Sequence, residues 1–95
     1  MSKREKYINK IAEKLKKWDV RIEELENKAE KAKDEVKDEY QEKIEELKEK
    51  QSKARQNLEK IRNASDAAWR EMKEGLDTSL KILNRSVKDA FKKFK

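Results

Sequence analysis

The chain has 95 residues, 51% charged and 34% hydrophobic, with one glycine and no proline, cysteine or histidine. Without cysteine or histidine, disulfides, thiolate chemistry and the usual zinc and transition-metal ligand sets are excluded. High charge with few apolar residues often marks disorder, but most of this chain is Glu, Lys, Ala, Arg and Gln, and its apolar residues are periodic; that combination points to a long helix or coiled coil.

The first element begins at Ser2, which can cap a helix with Glu5 three residues later, the spacing of a capping box. From there no breaker occurs for some sixty residues. Ile8, Ile11, Leu15, Trp18, Ile22, Leu25, Ala29, Ala32 and Val36 recur at steps of three and four, and the stripe resumes through Tyr40, Ile44, Leu47, Gln51, Ala54, Leu58 and Ile61. Such steps place side chains on one face of an α-helix, whereas a strand would alternate every second residue. Glu13/Lys17, Glu24/Lys28, Glu39/Lys43, Glu46/Lys50 and Glu49/Lys53 are Glu-to-Lys pairs four apart, each adding about 0.2–0.5 kcal/mol on a solvated face.

Asn63-Ala64-Ser65-Asp66 is the one internal boundary the composition suggests, since Asn, Ser and Asp favour caps and turns. Ser65 or Asn63 could cap a second helix. The stripe nevertheless keeps its phase through Ser65, Ala68 and Met72, with Trp69 beside it, so the pattern predicts a continuous helix with a kink or break at 63–66 as the alternative. Gly75 is a second weak point, costing about 1 kcal/mol relative to Ala in a helix interior. The stripe then continues through Leu76, Leu80, Leu83, Val87, Ala90 and Phe94. Two places step four–four, Val36–Tyr40–Ile44 and Met72–Leu76–Leu80, and the two halves look like a weak 36-residue repeat in pattern. The mean step approaches the natural period of a straight helix.

The fold class expected is therefore all-α: residues 1–95 as one helical coiled-coil domain, a long and nearly straight helix associating as an antiparallel coiled coil or helical bundle. A single helix cannot bury a one-sided stripe alone. The net charge of +6 is uneven: residues 1–20 carry seven basic and three acidic groups, 21–49 seven and twelve, 50–75 seven and four, and 76–95 six and two. In an antiparallel pair the acidic segment meets a basic one, so an antiparallel homodimer is favoured. The expected self-association seam is Ile8, Ile11, Leu15, Trp18, Ile22, Leu25, Val36, Tyr40, Ile44, Leu47, Leu58, Ile61, Trp69, Met72, Leu76, Leu80, Leu83 and Val87. Trp18, Trp69, Tyr7 and Tyr40 read as core or interface anchors, or as partner-binding hot spots.

Residues 80–95 form a basic amphipathic end. Leu80, Ile82, Leu83, Val87, Ala90, Phe91 and Phe94 are expected to lie largely on one side, and Lys81, Arg85, Lys88, Lys92, Lys93 and Lys95 largely on the other. Such a helix can lie on an anionic membrane surface, and Lys81, Arg85, Lys88, Phe91, Lys92 and Phe94 are the candidate contacts. The acidic band interrupts any linear basic stripe and no recognised module is present, which weighs against nucleic-acid binding.

No nucleophile–base pair, glycine-rich phosphate loop or dinucleotide fingerprint is present. Carboxylates such as Glu45, Glu46 and Glu49 sit among lysines, off the apolar stripe, without the burial that shifts a pKa for acid–base work. No catalysis, cofactor or small-molecule substrate is expected. The charged N-terminus lacks the apolar run of a signal peptide and no stretch approaches a membrane span, so a cytoplasmic protein, peripheral to the membrane at most, is the expectation.

Four segments add a resemblance: Met1-Ser2 with Arg4-Glu5 and Tyr7-Ile8; Leu15 with Trp18 and Ile22; Glu39-Tyr40-Gln41 with Ile44-Glu45-Glu46-Leu47; and Ala64-Ser65 with Ala68-Trp69, Met72-Lys73 and Gly75-Leu76. Together they resemble a family of small bacterial coiled-coil proteins described as stress-response proteins. That resemblance implies a stress-associated cytoplasmic protein and no catalytic residues. The function expected is a non-enzymatic structural or interaction protein, with reversible binding to an anionic lipid surface as the alternative.

Overall fold

In a computed structural model, which describes residues 2–94, the chain is three helices: α1 Lys3–Lys31, α2 Asp34–Asn63 and α3 Asp66–Lys93. Ser2 caps α1 as its spacing suggests, its Oγ accepting the Glu5 N–H at 3.1 Å. Lys95, expected at the basic end, lies outside the described residues.

One long helix is thus corrected to three, and each break is made by two residues. Ala32 and Lys33 take extended backbone with ψ of 157° and 147°, and Ala64 and Ser65 do so with ψ of 162° and 165°. At the second break Ser65 caps α3, its Oγ accepting the Ala68 N–H at 3.2 Å. At the first, Lys33 makes no side-chain cap. The charges there suit the helix dipoles instead: Lys28 and Lys31 close α1, and Asp34 and Glu35 open α2. Cations at a helix C-terminus and anions at an N-terminus each contribute about 0.3–1 kcal/mol.

The helices run up, down and up. Lys48–Glu26 at 2.9 Å and Arg55–Asp19 fold α2 back along α1. Lys50 Nζ donating to Ser86 Oγ at 3.0 Å, and the Tyr40 hydroxyl donating to the Phe94 carbonyl at 3.1 Å, fold α3 back along α2. α3 therefore runs parallel to α1, with the Arg4–Asp66 ion pair of 2.8 Å at one end and Arg21 over the Phe91 ring near the other. Thirty helical residues span about 45 Å, in keeping with overall extents of 50 × 19 × 18 Å.

The stripe read from the sequence is buried inside this one chain. Ile11, Leu25, Leu47, Ile61, Leu76 and Leu83 are the most completely buried large side chains. Val36 is a correction: it is 38% exposed, because the turn at 32–33 starts α2 only two residues earlier, ahead of the packed turns. Met72 packs against the core but stays partly buried. Gln51 is the buried polar side chain among the described residues. Its Nε2 donates to the Leu15 carbonyl at 3.0 Å and to Asp19 Oδ1. A satisfied polar group at a core position fixes the register of two helices, here α2 on α1.

Candidate functional site

The three helix pairs are not held alike. Along α1–α2 and α2–α3 the edges carry opposite charges in contact: Glu26 with Lys48, Asp19 with Arg55, and Glu39 with Lys93. Along α1–α3 both edges are basic. Lys10, Lys14 and Lys17 of α1 face Lys81 and Asn84 of α3 across a groove of about 450 Å³, with Trp18 and Leu80 at its floor and Asp77 at one end.

The row extends at both ends. Lys73 sits over the Tyr7 ring at 5.3 Å, and Arg21 and Lys28 sit over the Phe91 ring at 4.3 and 5.1 Å. Lys88 is four residues past Asn84 and three before Phe91, so it shares their side of α3. Among the described residues, none of these eight cations belongs to an ion pair. Like charges inside one Debye length, about 10 Å at 0.1 M salt, repel. Besides the shared core and the Arg4–Asp66 pair, cation–aromatic contacts join the two basic helices: Arg4 over Trp69 at 5.7 Å, Lys73 over Tyr7, and Arg21 and Lys28 over Phe91. Each contributes about 0.5–1 kcal/mol at an exposed site.

Asp77, the acid lining the groove, accepts the Tyr7 hydroxyl at 2.7 Å. Burial first, then this hydrogen bond and the carboxylate's charge, hold the Tyr7 phenol protonated well above its ordinary range. On α2 the opposite polarity appears: hydrogen bonding by Lys50 and the nearby Lys43 charge pull the Glu46 carboxyl below its ordinary value.

The seam residues predicted from sequence lie in the core, with Val36 exposed and Met72 half-covered. The proposed lipid contacts are divided. Phe94 is 7% exposed and stacks on Tyr40 with ring centroids 3.9 Å apart, so it is not a surface contact; α3 packs it inward when it folds along α2. Phe91 is partly buried beneath Arg21 and Lys28. Lys81 lines the groove, and Lys81, Arg85, Lys88 and Lys92 are all exposed. Ile82, exposed at 52%, is four residues before Ser86, which meets Lys50 of α2, so it lies away from the basic edge.

Lys10, Lys14, Lys17 and Arg21 were absent from the predicted contacts. Their signal was in the sequence as cations three and four apart, but only the return of α3 brings Lys81 and Lys88 opposite them. The fold also removes the linear interruption. Most of the acidic band belongs to α2 and the end of α1, where Glu26, Glu39, Glu46 and Glu49 meet lysines. Among the described residues no helix is long and apolar enough to cross a membrane, and no group of three or more His, Cys, Asp or Glu could hold a metal ion. No protein-family profile, curated protein or solved structure matches the chain.

Proposed function

We propose that the protein is a non-enzymatic interaction module that engages an anionic partner through the α1–α3 edge. The observation that carries this reading is the set of facing cations, Lys10, Lys14 and Lys17 against Lys81, none of which belongs to an ion pair among the described residues, while Asp77 at the groove's end is engaged by the Tyr7 hydroxyl. A chain that pairs its charges along the other two helix contacts, and along this one pairs only Arg4 with Asp66 at its end among the described residues, concentrates positive potential in the recess between. Such recesses raise the local concentration of an anion and speed its association. The association with stress rests on the sequence resemblance alone.

Retention on immobilised heparin tests the reading. A variant with Lys10, Lys14, Lys17 and Lys81 all changed to Gln should elute at clearly lower salt than one with Lys37, Lys43, Lys53 and Lys60 of α2 changed to Gln. The two variants have the same net charge. Equal elution would mean that total charge, and not this edge, governs binding.

Two related arrangements belong to the same reading. Adsorption to an anionic lipid surface would use the same cations by charge, because Phe94 is committed to Tyr40. An antiparallel two-chain coiled coil would use the same apolar seam if the turn at 32–33 straightened into helix, exchanging contacts within a chain for contacts between chains. Glu26–Lys48 pairing serves either arrangement.

A further inference from the structure

Resting on that reading, we infer that the occupant of the α1–α3 groove is single-stranded nucleic acid, held by its phosphates without regard to sequence. Three features select it among anionic partners. The first is shape. The cations flank a recess of about 450 Å³ between two parallel helices, which accepts a linear polyanion better than a flat surface does. The second is repeat. Lys10, Lys14 and Lys17 recur at steps of three and four residues, about 5 Å along the helix axis, and Arg21 continues the row. A regular row of charges suits a chain that carries one phosphate per nucleotide.

The third is a flat cation at the end of the groove. Trp18 is buried at the groove's floor, and Phe91 is partly buried beneath the exposed Arg21 guanidinium, 4.3 Å from the ring centroid, so the guanidinium is the plane on which a base can stack. Positively charged grooves with aromatic and guanidinium planes for base stacking are how single strands are bound without sequence preference. An acidic peptide offers no bases to stack. A lipid surface would call for several exposed apolar side chains on the basic edge; among the described residues Val20, three positions after Lys17, is a lone one there, and Ile82 faces elsewhere. Lysine ammonium groups contact phosphates as point charges and do not read base edges as a bidentate Arg does, so the groove discriminates strand form and not sequence.

The test is fluorescence anisotropy with a labelled oligothymidylate of about 20 nucleotides. A duplex of equal length, a polyglutamate peptide and phosphatidylserine vesicles serve as competitors. With about five phosphates neutralised, the slope of log affinity against log salt for a single strand is about −3.5, so affinity falls about 100-fold between 50 and 200 mM salt. Changing Lys10, Lys14, Lys17 and Lys81 to Gln should flatten that slope by about 2.8. The α2 variant of equal net charge, with Lys37, Lys43, Lys53 and Lys60 changed to Gln, should keep it. Circular dichroism confirms that both variants stay helical. Tightest binding to the strand, lost only in the groove variant, is the expected result. If duplex binds as tightly as strand, or if polyglutamate or vesicles bind more tightly and through the same lysines, the single-strand inference is overturned while the anionic-partner reading stands. If none of the four binds, or if the α2 variant loses as much as the groove variant, both fall.

Discussion

Replacing Lys33 by proline separates a bundle from a long helix by the sign of its effect. Lys33 has φ −66° and ψ 147°, and Ala32 before it has φ −74° and ψ 157°. Proline fixes φ near −65° and drives the preceding residue towards extended backbone, so both residues already hold the required geometry. Lys33 takes part in the turn through its carbonyl, which accepts from Val36 at 3.0 Å and Lys37 at 3.2 Å; no described hydrogen bond uses its N–H. Lys33→Pro therefore removes no described contact and restricts the unfolded chain, stabilising by about 0.4–1 kcal/mol. For a domain of this size that raises Tm by about 2–8 °C. In a continuous helix the same substitution would delete a backbone hydrogen bond, clash with the preceding turn and cost about 3 kcal/mol or more. Tm would then fall by well over about 10 °C. Thermal unfolding followed by circular dichroism reads the difference, with Glu23→Pro, in the middle of α1, as the destabilised reference. A Tm of Lys33→Pro that falls alongside that of Glu23→Pro would refute the turn at 32–33.

Gly75 sits inside α3 with open space where a Cβ would be, and no described residue has positive φ. Gly75→Ala should stabilise by about 0.8–1 kcal/mol, seen as a higher urea midpoint at unchanged slope; no gain would mean that α3 is not a regular helix there. The Tyr7 phenol has a folded pKa raised above its unfolded value near 10. Its contribution is therefore complete below about pH 10 and is lost as pH rises through the raised value. Tyr7→Phe should cost about 1 kcal/mol near pH 8, and the gap to wild type should shrink near pH 11, where the unfolded phenol of the wild type ionises. A gap that is the same at both pH values would show that the Asp77 contact does not hold the proton.

The all-helical class was legible because steps of three and four along Ile8 to Leu25 and Tyr40 to Ile61 have no other reading. The turn at 63–66 was half-legible, since Ser65 has the chemistry of a cap. The turn at 32–33 was not. It is built from Ala32 and Lys33 at negative φ, with no glycine or proline, and Ala29, Ala32 and Val36 carry the three–four steps straight across it. Two extended residues reverse the chain while displacing the stripe so little that its spacing does not mark the turn; the four–four step after Val36 has a counterpart at Met72–Leu76–Leu80 inside the unbroken α3. The same ambiguity hid the groove. Lys14 and Lys81 are far apart in sequence, and which residues face them depends on a turn the apolar pattern does not mark. The supposed 36-residue repeat is in fact three helices starting at Lys3, Asp34 and Asp66.

The folded-back bundle sets α1 and α3 of one chain side by side to form the groove, and small-angle X-ray scattering of the dilute protein tests that arrangement directly. The bundle has a Cα radius of gyration of 15.4 Å, so a value slightly above this is expected once hydration is included. A continuous helix of 95 residues, alone or paired along its length, would be a rod of about 140 Å with a radius of gyration near 40 Å. A value close to the rod's would contradict the folded-back bundle and the groove with it.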